Sequence, residues 1–198
     1  MVKKTQEYQQ KLRIIGGQWR RRLIPITSNP SLRPTSDRIR ESLFNWLNID
    51  IQGARCLDLF AGSGALGIEA LSRGAKETVF VESDRLSTKT IADSLAYLKA
   101  ASDSYQIKTE RVETYLAQSV QLAKRFDIIF LDPPFKQNWW EKIAHDVFSV
   151  CHSESIIYLE VEKSLPIIQT SNNWSIFREK TAGQVRYYLL KPIDSEEE

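Results

Sequence analysis

Leu57-Asp58-Leu59-Phe60-Ala61-Gly62-Ser63-Gly64-Ala65-Leu66-Gly67 is a short apolar run that breaks into glycines and resumes at helical spacing. A strand-to-helix turn of this kind opens a βαβ unit, where glycines let the backbone approach a ligand that faces the helix start. Gly62, Gly64 and Gly67 satisfy the G-x-G-x-x-G spacing, and Glu82 follows Gly62 by 20 residues. Taken alone, that spacing also suits a dinucleotide. Asp58 tips the choice: a carboxylate just ahead of the turn repels a pyrophosphate and attracts a methionine moiety carrying an ammonium and a sulfonium. The expected cofactor is S-adenosylmethionine, with Glu82 accepting both ribose hydroxyls. Phe60, Ala61, Gly62, Ser63, Gly64 and Ser83 complete this part of the expected cofactor site.

Outward from this turn, short apolar runs alternate with helix-spaced segments. Strands are predicted at 55–60, 78–82, 106–109, 126–131, 155–161, 174–180 and 184–190, and helices at 65–73, 87–99, 113–124 and 139–150. Near-continuous apolar strands separated by helices predict a parallel sheet covered on both faces, hence a doubly wound α/β body. Only Thr181-Ala182-Gly183 separates the last two strands, too short for a crossover, so they are expected to pair as an antiparallel hairpin.

The fourth strand of this body ends in Asp132-Pro133-Pro134-Phe135. Two prolines remove amide donors and hold the segment extended at the carboxyl edge of the sheet, where ligands bind in such folds. The exocyclic amino nitrogen of a nucleobase is a poor nucleophile, because its lone pair is delocalised into the ring. If the Asp132 carboxylate and the Pro133 carbonyl accept its two N–H bonds, the lone pair is freed toward a sulfonium methyl. Such catalysis rests on positioning and electrostatics. Phe135 is expected to stack on a base swung out of its neighbours.

The 198 residues carry a net charge of +2, which conceals an asymmetry. Residues 1–40 hold ten basic side chains against two acids, a charge of +8, and the other 158 sum to −6. A basic segment joined to an acidic body points to a phosphate backbone as partner. Leu12 to Ile26 holds two β-prone runs around Gly16-Gly17, so a small hairpin with its arginines on one face is expected there. After Pro34, Thr35 and Ser36 offer N-cap hydroxyls, and Ile39, Leu43, Trp46 and Leu47 mark an amphipathic helix with Arg33, Arg38 and Arg40 near its exposed start. The expected RNA contacts are Arg13, Arg20, Arg21, Arg22, Arg33, Arg38 and Arg40. The division that follows is a basic hairpin and helix at 1–48, a catalytic domain at 49–193 and a frayed acidic tail at 194–198.

Cys56 and Cys151 fit no ligand pattern and are expected as reduced thiols; with only His145 and His152 besides, no metal is expected. No apolar run approaches the roughly 18 to 20 residues that span a bilayer. The opening Met-Val-Lys-Lys-Thr-Gln-Glu lacks the apolar stretch of a signal peptide, so a cytoplasmic protein is expected, and a monomer.

These residues resemble the bacterial 16S rRNA guanine-N2 methyltransferases. The likeness lies in Arg13-Ile14-Ile15-Gly16-Gly17, Arg33 to Glu41, Asp58 to Gly67 with Glu69-Ala70-Leu71, Asp132 to Phe135, and Arg178-Glu179-Lys180 with Gly183 and Val185. The resemblance implies a class I methyltransferase fold, Rossmann-like, that uses S-adenosylmethionine on a partly assembled small ribosomal subunit. It implies cofactor binding by Asp58, Gly62 and Glu82, and a guanine held by Asp132, Pro133, Pro134 and Phe135. Relatives place an acid after the third strand against the adenine; Arg111 stands at that position here, leaving Glu110 or the backbone of Val112 to serve. Rival readings are an adenine-N6 methyltransferase, a non-catalytic RNA-binding assembly factor and, more remotely, a dehydrogenase.

Overall fold

The computed structural model of the chain describes residues 10–26, 36–134, 139–165 and 174–193. Arg33, Phe135 and the tail 194–198 lie outside them. Two short strands, β1 (Gln10–Arg13) and β2 (Leu23–Ile26), precede a helix, α1 (Asp37–Trp46). Strand and helix then alternate through β3 (Arg55–Asp58), α2 (Ala65–Ser72), β4 (Glu77–Glu82), α3 (Arg85–Leu98), β5 (Tyr105–Thr109), α4 (Val112–Gln121), β6 (Ile128–Leu131), α5 (Trp139–Phe148) and β7 (Ile156–Glu162). Two strands close the order, β8 (Trp174–Ala182) and β9 (Val185–Pro192).

Among the described residues, seven strands form one sheet in the order β5-β4-β3-β6-β7-β9-β8. Strands β3 to β7 pair in parallel, whereas β9 runs antiparallel to both β7 and β8. The doubly wound sheet and the C-terminal hairpin thus stand where the alternation of the sequence puts them. Gly183 turns the hairpin with a φ of 61°, a conformation that tight two-residue loops demand.

Residue parity sorts the two faces of the sheet. Leu57, Ile129, Leu131, Ile157 and Leu159 enter one apolar cluster with Leu116 of α4 and Val147 of α5. Their alternates Cys56, Ile128, Phe130, Ile156 and Tyr158 pack against Leu43 and Phe44 of α1 and Leu66 and Ala70 of α2. Both faces are covered, which is why these strands read as unbroken apolar runs rather than as alternating ones. Helix α1 starts where the Ser36 hydroxyl accepts the Ile39 N–H at 3.3 Å. Cys56 and Cys151 are free, buried thiols. No helix among the described residues is long and apolar enough to cross a membrane.

The basic segment is docked, not free. Leu12, Ile14, Trp19, Ile24 and Ile26 share an apolar cluster with Ala65, Ile68 and Leu71 of α2 and Ile91, Leu95 and Leu98 of α3. Strands β1 and β2 pair antiparallel, but Gly16-Gly17 is not their reversal, contrary to expectation. The chain turns instead at 19–22, where the Arg22 N–H donates to the Trp19 carbonyl at 3.0 Å and Arg21 takes a φ of 68°. The glycines serve close approach: a Cβ on Gly17 would stand 1.8 Å from the Ser72 carbonyl oxygen.

Beneath them lies Glu69, wholly buried. Its carboxylate accepts the N–H groups of Ile15 and Gly16 at 2.8 and 2.7 Å and the Arg73 Nε at 2.8 Å. The expectation that Arg40 is exposed for RNA is overturned, because its side chain is also wholly buried. It lies 3.7 Å from Glu69 and donates to the Arg13 carbonyl at 2.9 Å and to Asp37 at 2.6 Å. A guanidinium so enclosed ties the hairpin to α1 and cannot reach a phosphate. Removing one partner of a buried ion pair strands the other charge, so Glu69→Ala is expected to cost about 3–5 kcal/mol in urea unfolding. Amide exchange at 13–19 should accelerate in that variant; an unchanged unfolding midpoint would refute the anchoring role.

Candidate active site

Every strand from β3 to β7 delivers its last residues to one edge of the sheet. Asp58 ends β3, level with Phe80 and Phe130, and Glu82 ends β4, level with Thr109. Glu110, Arg111 and Val112 follow β5, and Asp132, Pro133 and Pro134 follow β6. The expected cofactor residues and the described part of the catalytic tetrapeptide therefore lie along one edge, as chain crossovers in such sheets require.

Asp58 is only 2% exposed and caps α2: its Oδ2 accepts the Gly67 N–H at 3.0 Å. Gly64, the N-cap residue with φ of 76°, has no side chain for that task. Gly67 supplies contact of another kind, since a Cβ there would stand 2.3 Å from the Phe80 ring. Glu82 closes the loop from the other side. Its carboxylate accepts the Gly62 N–H at 2.9 Å and the Asp84 N–H at 2.8 Å, with the Ser83 hydroxyl at 3.4 Å. Two carboxylate oxygens offer about four lone pairs, so one on Oε2 is left for a ribose hydroxyl, and a second hydroxyl has to displace the long Ser83 contact. Phe60 stands half-buried with its ring 5.1 Å from Trp139 of α5.

Burial pushes the Asp58 carboxyl up to about 7, opposed by the Gly67 N–H and reinforced by the charges of Asp132 and Glu82. Glu160 of β7, which the sequence reading passed over, is 4% exposed. Its carboxyl is raised by burial and by Asp132, and it accepts the Tyr158 hydroxyl at 2.6 Å. Asp132 itself is half-buried. The one signal in the chain was an acid inside the apolar run Ile156 to Val161, a position where only a paired or functional carboxylate is tolerated.

Arg111 is turned away, exposed and paired with Glu113 at 3.0 Å, which raises the guanidinium further. Glu110 accepts from Gln118 at 3.4 Å, and Val112 is buried at the start of α4. The arginines divide. Arg13, Arg20, Arg21 and Arg38 are exposed, while Arg22 stacks 4.9 Å above Tyr97 and donates to the Leu98 carbonyl. Trp19 and Arg22 thus sit at the carboxyl ends of α2 and α3, the edge of the sheet opposite Asp58, Glu82 and Asp132. No group of His, Cys, Asp and Glu among the described residues is arranged to hold a metal.

Residues 12–191 match the family described as conserved hypothetical protein 95. A protein of Escherichia coli K12 named ribosomal RNA small subunit methyltransferase D is 44% identical over 184 residues, covering 91% of this chain and 89% of its own. Its namesake in Haemophilus influenzae is 41% identical, covering 91% and 93%. The chain belongs to this family. The solved structure of a putative methyltransferase from Escherichia coli superposes with a TM-score of 0.81 at 41% identity, covering 92% of this chain and 98% of that one. The fold is the class I, Rossmann-like methyltransferase fold, and the resemblance carried by the motifs is borne out.

In this family member the raised Asp58 carboxyl has a consequence for stability. Its folded pKa of about 7 lies above the ordinary 3.8, so its contribution is intact below 3.8 and is lost as pH rises through 7. The Asp58→Asn variant should therefore gain on the wild type between pH 4 and about 8, by up to ~4 kcal/mol, in urea unfolding of the cofactor-free protein. A difference that stays constant across that range would show that Asp58 is ionised throughout.

Proposed function

We propose that the chain methylates the exocyclic N2 amino group of one guanine in 16S rRNA, using S-adenosylmethionine. It acts as a cytoplasmic monomer on the partly assembled small subunit. The observation that carries the reading is Asp132-Pro133-Pro134 at the carboxyl edge of β6, beside the Asp58–Gly67 loop and level with buried Glu160. The name of the relatives, ribosomal RNA small subunit methyltransferase D, supports small-subunit rRNA as the substrate.

The residues fit the cofactor by their chemistry. Glu82 retains a lone pair on Oε2 for one ribose hydroxyl and accepts the second in place of the long Ser83 contact, the 60–64 backbone closes around the methionine part, and Asp58 lies below the loop as the compensating acid. Glu110 and the Val112 backbone take the adenine side, since Arg111 is engaged by Glu113. S-adenosylmethionine supplies the methyl as an electrophile and leaves as an uncharged thioether. Asp132 and the Pro133 carbonyl accept the two N–H bonds of the guanine amino group and orient its lone pair. As the N–C bond forms, one of these protons is lost to the Asp132 side. Phe135, outside the described residues, is assigned to stacking on the flipped base. Arg13, Arg20, Arg21 and Arg38 are assigned to RNA phosphates, with Arg22 held half against Tyr97.

Asp132→Ala should lower methylation of 30S subunits by ~10²–10³-fold while the affinity for S-adenosylhomocysteine, measured by calorimetry, is kept. Loss of cofactor affinity in that variant would contradict the assigned role. Mass spectrometry of the treated 16S rRNA should find a single N2-methylguanosine; N6-methyladenosine, or no methylation, would overturn the reading.

A further inference from the structure

Asp132, Glu160, Tyr187 and Lys180 stand level with one another across β6, β7, β9 and β8. Leu131 pairs with Leu159, which brings Asp132 level with Glu160; Glu160 pairs with Tyr187, and Tyr187 with Lys180. Cross-strand partners project to the same face of a sheet. Here it is the face covered by α1: Tyr187 packs among the apolar residues of that helix, and Lys180 Nζ donates to the Ser42 hydroxyl at 3.0 Å. One row thus runs from two carboxylates, through a buried tyrosine, to an ammonium group.

At the basic end of the row opens a groove of about 460 Å³. Tyr187 lines its floor, with Ser36 and Arg38 from the start of α1 on one side and Lys180 to Gly183 on the other. Among the described residues neither Arg38 nor Lys180 has a carboxylate partner, whereas Arg186 nearby is paired with Glu179 at 3.6 Å. Two cations left without counter-charges beside the positive end of a helix favour an anion. The stretch Arg178-Glu179-Lys180 lies on β8, three strands from β6, and Gly183 follows it in the hairpin turn.

We propose that this groove is a phosphodiester subsite, which takes the RNA backbone phosphate flanking the base held at Asp132. The proposal rests on the reading of the chain as an RNA methyltransferase. Three strand spacings of about 4.8 Å separate β6 from β8, so the groove lies roughly 14 Å from the catalytic segment, within reach of the backbone beside a flipped nucleotide. The acids at the other end of the row repel phosphate and accept amino protons. The row therefore orients a strand, base toward Asp132 and backbone toward Lys180. The arginine tip at 20–22 cannot serve this purpose, because it lies at the opposite edge of the sheet.

Binding of deproteinised 16S rRNA, titrated against KCl, tests the groove. The double variant Arg38→Ala with Lys180→Ala should weaken binding roughly tenfold and flatten the slope of log K against log salt by about 0.7 for each phosphate released. Lys180→Arg should restore most of the affinity in the Lys180 single-variant series, and S-adenosylhomocysteine affinity should be unchanged throughout, which excludes misfolding. Unaltered RNA affinity and salt slope in the double variant would overturn the subsite while leaving the methyltransferase reading intact. A loss seen with 30S subunits but not with deproteinised RNA would overturn it in favour of an acidic ribosomal protein as partner. Failure of the wild-type protein to bind or methylate any rRNA would overturn the RNA reading and the subsite together.

Discussion

The Glu69 carboxylate, buried to the last atom, is where the two parts of the molecule meet. It sits on α2, the helix whose first turn is capped by Asp58 and whose last residue, Ser72, receives the amides of Gln18 and Trp19. One eight-residue helix thus carries the glycine loop at 62–64 at its amino end and the basic hairpin at its carboxyl end. A buried carboxylate is tolerable only when its charge is met, and Glu69 is met by two backbone amides and two guanidinium groups. That arrangement fixes the hairpin against α2 in one register. A hydrophobic replacement could pack as well, but it would not tell Ile15 and Gly16 where to stop.

The same interaction explains what the sequence could and could not disclose. The parallel sheet was legible because both faces are covered, so β3, β6 and β7 read as apolar runs, and the acids at their ends stood out against them. The fate of Arg40 was not legible. Helix periodicity puts Arg40 next to Ile39 and one turn before Leu43 and Phe44, on the flank of the apolar stripe, yet its partner Glu69 lies 29 residues away and has no local signature. Gly16-Gly17 carried the signal of a turn, and only the closeness of the Ser72 carbonyl shows that they are needed for backbone approach instead. Glu160 escaped notice for a related reason: its meaning depends on strand order, which brings β7 beside β6, and not on any spacing within β7.

Charge counted along the chain also overstated what is offered to a nucleic acid. Arg40 is spent within the fold, and Arg22 lies across Tyr97 near the carboxyl end of α3, where a cation is favoured by the helix dipole. Free positive charge remains on both edges of the sheet, at Arg20 and Arg21 on one and at Arg38 and Lys180 on the other. An rRNA, as a long polyanion, can meet both. Only the second pair shares an edge of the sheet with Asp58, Glu82 and Asp132.

Four acids crowd that catalytic edge: Asp58, Glu82, Asp132 and Glu160. Placed together in a partly dry site they resist ionising at once, which is why burial and mutual repulsion raise Asp58 and Glu160 together. A cation entering the loop removes that resistance. Its arrival favours the ionised form of the carboxylates nearest to it, so cofactor binding and proton release are linked, and the affinity for a sulfonium compound must rise with pH across the range in which Asp58 titrates. A neutral thioether product offers no such charge and regains less from the acids. Electrostatics of this kind favours a charged cofactor over an uncharged product, and Asp132 is the least buried of Asp58, Asp132 and Glu160.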